Sequence, residues 1–330
     1  MQWTDRIGQR LKLRDLHILL SVVQRGSMAK AAAELAISQP AVSKAIADME
    51  HAVGLRLLDR SRNGIEPTAY GQALIKRGLV IFDELKQGVA ELEFLADPTA
   101  GELRIGSTEG IAAGLLPAII ERFSREYPRV HLDVTQAVIS TLNYRELRER
   151  SIDLFIGRIP SNFAEHDLQA DVVYDDQVVV VAARESKWAR ARRLKLADLS
   201  SEPWILPPTD TLAGSIALEL FRAGGVGMPR APVTTLSIHL YCRLAASGRF
   251  VSLLPISVLH FGGHDRFLKM LPIKLPKEPR PVGIVTLKNR TLSPVAKRFV
   301  DCVHRAQSRP ATHRFLTRQC RGRLWVQKRP

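Results

Sequence analysis

Residues 27–71, SMAKAAAELAISQPAVSKAIADMEHAVGLRLLDRSRNGIEPTAYG, decide the fold of the first part of the chain. They predict two helices joined by a short turn. Ser27 begins the first helix, which is rich in alanine, and such small side chains let a neighbouring helix approach closely. Ser38 caps the second helix, which tolerates Pro40 in its first turn because the N–H that proline lacks would have no partner there. Two helices around a turn, with polar side chains at the start of the second, predict a helix-turn-helix.

The second helix of this pair has an apolar face and a polar face. Its apolar residues are Ala41, Val42, Ala45, Ile46 and Met49. The residues expected at DNA are Ser38, Gln39, Pro40, Ser43 and Lys44. In the major groove an amide pairs bidentately with adenine, and a lysine reaches guanine or phosphate. A serine hydroxyl and the N–H groups at the helix start hold phosphate. The polar face therefore predicts contact with duplex DNA.

A hairpin is predicted directly after this helix, in LRLLDRSRNGIEPT, residues 55–68. Asn63-Gly64 is a strong hairpin turn signal. Arg60 and Arg62 flank the turn, so the hairpin resembles a wing that carries guanidinium groups to the DNA backbone or minor groove. The alternative is a small helical core with an ordinary surface hairpin. The capped polar helix and the arginines together favour DNA binding.

One long helix is predicted over about residues 68–95. Its apolar or small residues recur at alternating intervals of four and three residues, as at the a and d positions of a coiled coil. The seam consists of Leu74, Gly78, Ile81, Leu85, Gly88, Leu92 and Leu95. Leu74, Ile81, Leu85 and Leu92 are the expected dimer-interface residues. A helix packed on its own domain is the alternative, and the two glycines either weaken the seam or permit close approach.

A change in composition separates this helix from the rest of the chain. The sequence from Ala96 to Gly101, ADPTAG, breaks the helical pattern with Pro and Gly, as a hinge or linker does. After it, short β-rich runs alternate with helical ones, which predicts an α/β domain with a partly parallel sheet.

Polar residues at the ends of the predicted strands suggest a ligand site in this domain. The strand 102–107 ends in hydroxyl residues and opens onto a helix start, where free N–H groups favour an anion. The polar ends of parallel strands are where open α/β sheets bind ligands. The candidate effector-binding residues are Ser107, Thr108, Ser140, Thr141, Arg158, Thr209, Ser237 and His239. Hydroxyls and an arginine suit a small organic acid or a phosphorylated or sugar-derived metabolite. The alternative is that the hydroxyls only cap helices.

The chain resembles the LysR-type bacterial transcriptional regulators through residues 27–71, and more weakly through GELRIG, IDLFIGR and LAASGRFVSLLP. Met28 and Leu58 stand where an aromatic residue is commoner. The resemblance covers about residues 10–305. It implies an α/β protein with a winged helix-turn-helix, a dimerising linker helix and a two-lobed, periplasmic-binding-protein-like effector domain. It also implies dimers, often assembled into tetramers, with the ligand between the lobes.

These observations give the expected domain organisation. The divisions are a DNA-binding domain at 1–67, a linker helix at 68–97, an effector domain at 98–309 and a basic tail at 310–330. Within the effector domain, the first lobe is expected at about 102–161 and 268–305, and the second at about 162–267. The tail holds six Lys or Arg and no acidic residue, which predicts disorder.

Composition supports a nucleic-acid partner and excludes several other classes of protein. The 330 residues hold 48 Lys and Arg against 33 Asp and Glu, a net charge of +15. A chain this basic favours a polyanion. The three cysteines form no CxxC pair, and the sequence has no HExxH, GxxxxGK[ST] or GxGxxG motif. No cofactor or metal is expected.

The expected function is therefore a ligand-responsive regulator of transcription and not an enzyme. Its partners are double-stranded DNA, a small effector that is an organic acid or sugar-derived, and a second or further copies of the chain. RNA polymerase is considered as another partner. The alternative is a metabolic enzyme with an autoregulatory DNA-binding head, which would need a catalytic pair that the sequence does not offer. With no apolar run of about 18 residues and no signal-peptide pattern, we expect a cytoplasmic protein without a membrane span.

Overall fold

The computed structural model describes residues 11–61, 64–136, 144–160, 163–275 and 281–307. The chain forms two compact units, residues 1–89 and 90–330. Some predicted features lie outside the described residues, namely Arg62, Ser140, Thr141, the tail 310–330 and the side chain of Arg60. Of the helices that are described, none combines the length and the apolarity that crossing a membrane requires.

Three helices build the core of the first unit. They are α1 (Leu13–Arg25), α2 (Met28–Glu34) and α3 (Gln39–Val53). Leu16, Leu19, Val42 and Met49 are buried between them. The predicted cap of α3 is confirmed, because the Ser38 hydroxyl accepts a hydrogen bond from the Ala41 N–H at 3.3 Å. The helix-turn-helix is thus held by a shared apolar core and a capped second helix.

The predicted hairpin follows α3 and is anchored to it. Strands β1 (Leu58–Ser61) and β2 (Gly64–Pro67) are antiparallel, with Ser61 opposite Gly64. A carboxylate oxygen of Glu50 in α3 accepts hydrogen bonds from the N–H groups of Leu57 at 2.7 Å and Leu58 at 3.2 Å. The wing is therefore fixed to the end of the helix that precedes it.

The long helix α4 (Ala69–Ala96) has 28 residues, which makes it about 42 Å long. The Thr68 hydroxyl accepts from the Gly71 N–H at 3.1 Å and starts the helix. A side chain at Gly71 would overlap the Leu57 carbonyl, so only glycine lets the helix start this close to the wing. Gly78 is buried against the Leu16 side chain. Gly78 therefore lets α4 lie close to α1 within the first unit.

The second unit contains two mixed sheets with helices between and around their strands. Its strands are β3 (Ala100–Ser107), β4 (Arg129–Gln136), β5 (Leu154–Arg158), β6 (Leu168–Asp175), β7 (Val178–Ala183), β8 (Trp204–Leu206), β9 (Val233–Thr234), β10 (Val251–Pro255), β11 (Leu268–Met270) and β12 (Pro281–Leu287). Its α-helices are α5 (Glu109–Ala112), α6 (Leu116–Glu126), α7 (Arg145–Arg148), α8 (Leu212–Ala223), α9 (Ile238–Ala246), α10 (Ile256–Phe261) and α11 (Pro294–Gln307). Short 3₁₀ helices occupy Lys187–Arg190, Leu196–Leu199 and His264–Arg266.

The first sheet has the order β4-β3-β5-β12-β6. Strand β3 is parallel to β4 and β5, whereas β12 is antiparallel to β5 and β6, so the predicted partly parallel sheet is confirmed. Helices α6 and α11 cover it, and the rings of Phe123 and Phe299 meet edge to face at 5.3 Å. The core of this sheet includes Leu103, Ile105 and Ile156, all fully buried.

The second sheet has the order β11-β7-β10-β8-β9. Strand β8 lies parallel to β9 and β10, while β7 is antiparallel to β10 and β11. The buried Trp204 of β8 packs edge to face on Phe221 of α8 at 4.9 Å, and its indole N–H donates to the Leu199 carbonyl at 2.8 Å. Each sheet thus has its own apolar core, which gives the two lobes.

The lobe boundaries differ from those expected, because strand pairing does not follow the breaks in the sequence. Residues 168–175, expected in the second lobe, pair along their length with β12 of the first sheet. Residues 268–270, expected in the first lobe, pair instead with β7 of the second sheet. The chain therefore crosses between the sheets after Asp175 and after Met270.

Candidate functional site

The start of helix α3 presents a polar surface. Gln39, Pro40 and Lys44 are exposed and Ser43 is half-buried. On the opposite face Val42 and Ile46 are buried in the core. The helix therefore leaves its polar first turns open to solvent. In the adjoining wing, Arg60 lies in β1 opposite Ile65.

The second half of α4 carries a row of exposed apolar side chains. We call it the α4 stripe, and it consists of Ile81, Leu85, Val89, Leu92 and Leu95. Their exposure rises from 42% at Ile81 to 72% at Leu95. Leu74 does not belong to the stripe, because it packs on the core of the first unit. The predicted seam is thus divided, its first part covered within the unit and its second part exposed.

A cavity of about 200 Å³ lies in the second unit. Its polar lining residues are Thr108, Glu109, Gln136, Arg158, Thr211 and Tyr241. Its larger apolar lining residues are Val178, Leu212, Ile216, Leu236, Ile238 and Leu253. The polar ends of β3, β4 and β5 thus face residues carried by the elements of the second sheet.

Two of the predicted effector residues, Thr108 and Arg158, line this cavity. Thr108 stands at the N-cap position of α5 but makes no capping hydrogen bond through its side chain. Helix α5 has only four residues, so the predicted attraction of a helix dipole for an anion is weak here. The Thr108 hydroxyl, and not the helix, is the feature of interest.

The other described candidates lie elsewhere. Ser107 is fully buried, and its hydroxyl donates to the Ile156 carbonyl at 3.2 Å. The Ser237 hydroxyl caps α9 by accepting from the Leu240 N–H at 3.4 Å, as the capping alternative expected. Thr209 and His239 are exposed and are not among the lining residues.

Arg158 is held at the cavity by a buried network. Its Nη1 donates to the Asp176 carbonyl oxygen at 2.7 Å, and its Nη2 lies 3.6 Å from the Asp176 carboxylate. That carboxylate also accepts from the Ser257 N–H at 3.1 Å and hydroxyl at 2.7 Å. Burial raises the pKa of Asp176, against the attraction of Arg158. The network joins β5, the crossing after Asp175, and the start of α10.

Glu109 and Gln136 line the polar end of the cavity, and sequence reasoning missed them. The Gln136 amide donates to the Glu109 carboxylate at 2.7 Å. Gln136 could have been found, since β4 ends beside β3 with Gln136 opposite Ser107, and parallel strands end at one edge. The apolar lining residues gave no such signal, because in sequence they look like ordinary core.

Within the described residues, no group of three or more His, Cys, Asp or Glu converges on a metal site.

Known proteins resemble both parts of the chain. The family description "Bacterial regulatory helix-turn-helix protein, lysR family" matches residues 13–72, and "LysR substrate binding domain" matches residues 96–308. The transcriptional regulator GbpR of Azospirillum brasilense is 29% identical over 289 residues, 87% of this chain and 84% of GbpR. The transcriptional dual regulator GltC of Bacillus subtilis (strain 168) is 28% identical over 297 residues, 89% of this chain and 96% of GltC.

Solved structures share the fold. A full-length OxyR variant from Pseudomonas aeruginosa matches with a TM-score of 0.65 at 20% identity, over 90% of this chain and 94% of that one. Full-length CbnR in complex with its target DNA matches with a TM-score of 0.51 at 23% identity, over 90% and 99%. The curated relatives are regulators and not enzymes, which removes the enzyme alternative. The chain belongs to the LysR family of bacterial transcriptional regulators, as a ligand-responsive, DNA-binding member.

Proposed function

We propose that the protein binds a partly palindromic promoter site as a dimer or tetramer, with α3 of each of two subunits in the major groove. The observation that carries this proposal is the exposed polar start of α3 over a buried apolar face. Gln39 reads a base edge, and Ser43 and Lys44 hold bases or phosphates. Arg60 and Arg62 of the wing contact the backbone or the minor groove.

The α4 stripe is the dimer interface in this proposal. Five large apolar side chains in a row along one helix favour a partner helix, because burying them removes apolar surface from water. Two recognition helices spaced about one duplex turn apart would then read two half-sites. The functional division is a DNA-binding domain at 1–67, a linker helix at 68–97 and an effector domain at 98–309.

The cavity of the second unit takes the effector in this proposal, with Thr108 and Arg158 holding an anionic group. A ligand in this cavity shifts the conformational equilibrium of the protein only if it binds one arrangement of lobes and subunits more tightly than another. We assign this activity to the cytoplasm, where promoter DNA is found, with RNA polymerase as a further partner.

The substitution Leu85→Asp tests whether the α4 stripe forms the dimer interface. We expect it to weaken self-association by at least about 100-fold, since burying an unpaired carboxylate costs several kcal/mol. Sedimentation velocity measures the oligomeric state, and binding to a duplex with two half-sites should fall with it. The matched control is Gln72→Asp, which adds the same charge at an exposed position of α4 outside the stripe. If Leu85→Asp associates as tightly as Gln72→Asp does, the interface lies elsewhere.

A further inference from the structure

We infer that the effector is a monocarboxylic acid with a compact apolar body, either aromatic or branched aliphatic, and not a sugar acid, a dicarboxylate or a phosphorylated metabolite. This inference rests on the proposed function, since it names the ligand class of the same cavity. It narrows the range of ligand classes that the sequence left open, which were organic acids and phosphorylated or sugar-derived metabolites.

The two sides of the cavity have different chemistry. The first-sheet side provides Thr108, Glu109, Gln136 and Arg158. The second-sheet side provides mostly aliphatic side chains, including Leu212, Ile216, Leu236, Ile238 and Leu253. A ligand that fills the cavity therefore needs one polar end and one apolar end.

The two hydroxyls on the apolar side are already engaged by the protein. Thr211 Oγ1 donates to the Pro208 carbonyl at 2.7 Å and accepts from the Gly214 N–H at 3.1 Å. The Tyr241 hydroxyl donates to the Thr235 carbonyl at 3.3 Å. A sugar acid would bury several hydroxyls against this side, and a buried hydroxyl without a hydrogen-bond partner weakens binding. Polyols are thereby disfavoured.

The charges at the polar end suit a single carboxylate. Among the described lining residues, Arg158 alone carries a positive charge. Its hydrogen bond to the Asp176 carbonyl fixes its position. The Glu109 carboxylate, held by Gln136, stands at the same end. The positive charge of Arg158 offsets the repulsion between Glu109 and one anionic group, but a second anionic group on the ligand would have no cation of its own beside Glu109, and like charges at close range repel. A dicarboxylate or a phosphate is therefore disfavoured.

The size of the cavity limits the apolar body. An apolar cavity of about 150 Å³ is large enough to bind benzene. A cavity of about 200 Å³ therefore holds a ring or a branched chain of about six carbons together with one carboxylate.

The test is calorimetric binding to the full-length protein with five probes: phenylacetate, 4-methylpentanoate, phenylacetamide, gluconate and succinate. We expect phenylacetate or 4-methylpentanoate to bind at least about 30-fold more tightly than gluconate and succinate. Phenylacetamide, which keeps the ring and loses the charge, should bind about 10-fold more weakly than phenylacetate. Tighter binding of gluconate or succinate overturns the inference, and so does the absence of binding by both apolar acids at about 10 mM.

A pair of variants on α8 locates the bound acid. Ala213 lines the cavity and is exposed, whereas Ser215 on the same helix is exposed and does not line it. Ala213→Asp should weaken phenylacetate binding by at least about 10-fold, and Ser215→Asp should leave it within about twofold. Equal effects of the two would contradict binding in this cavity. Binding to operator DNA without ligand is measured on the same samples. If the protein binds the operator but none of the apolar acids, the inferred ligand class is wrong. If it does not bind the operator, the proposed function itself is wrong.

Discussion

At the scale of single residues, Gln39 is the side chain expected to read sequence. It is exposed at the start of α3, beside the hydroxyl cap of Ser38. We predict that Gln39→Ala lowers affinity for the operator by about 10- to 100-fold, since a bidentate base contact contributes about 1–3 kcal/mol of discrimination. Binding to a scrambled duplex should fall much less. Fluorescence anisotropy on both duplexes over a range of salt concentrations measures the two affinities.

Lys44→Ala is the comparison for this prediction. A lysine that contacts phosphate should weaken binding to both duplexes by similar factors and reduce the slope of log K against log salt by about one. Should Gln39→Ala weaken operator and scrambled duplex equally, it would have no part in reading bases.

Residue chemistry alone did not settle which hydroxyls cap helices and which face a ligand. Ser38 caps as predicted, Ser237 caps where a ligand contact was predicted, and Thr108 stands at a cap position without capping. All three precede helices, so the sequence offers the same signal for each. The difference lies in the direction of the hydroxyl, which depends on packing around each turn.

At the scale of elements, a buried ion cluster ties the strands of the first sheet. The Asp153 carboxylate accepts from the Arg104 N–H at 2.9 Å, from the Arg104 guanidinium at 2.7 Å and from the buried Arg290 guanidinium at 2.7 Å. Burial raises the pKa of Asp153, but the hydrogen bonds and charge of the arginines lower it further, so the pKa lies below its usual range. The cluster joins β3, the start of β5 and the segment after β12.

We predict that Asp153→Asn destabilises the second unit by about 3–5 kcal/mol at pH 7, because it leaves buried arginine charge without its partner. The lowered pKa means that Asp153 stabilises the fold above the unfolded-state pKa of about 4 and loses this effect as pH falls through the folded-state value. Urea unfolding at pH 7 and at about pH 3, below the unfolded-state pKa, should show that acid destabilises the variant less than the unmodified protein. Asp171→Asn, at an exposed pair with His304, should change stability by less than about 1 kcal/mol. Equal stability of Asp153→Asn and Asp171→Asn would remove the cluster from this role.

The helix-turn-helix, the hairpin and the long helix were predictable from the sequence, but the neighbours on which elements pack were only partly so. The apolar spacing predicted α4, yet Leu74 and Gly78 are covered by their own unit while Leu85 is exposed. A heptad pattern marks an apolar face and does not say which neighbour covers it. Likewise, the sheets to which β6 and β11 belong are set by hydrogen bonding to β12 and β7, about one hundred positions away along the chain, and no local pattern predicts that pairing.

At the scale of the whole molecule, the chain combines a DNA-reading unit with a ligand-binding unit, and its net charge of +15 favours association with DNA. The charge alone does not make binding selective, since phosphate contacts carry no sequence information. In the proposed function, selectivity comes from the polar start of α3, presented twice by a dimer. A ligand response in this proposal requires that the effector favour one geometry of that dimer.

Selection of genomic DNA is the direct test of sequence-selective binding by this protein. Purified full-length protein is mixed with sheared DNA of its own genome at about 150 mM salt with excess unrelated competitor, and the retained fragments are sequenced. We predict a few enriched promoter regions that share two related half-sites, centred about one duplex turn or a multiple of it apart. Retention of all fragments in proportion to their abundance, with no shared motif, would contradict it.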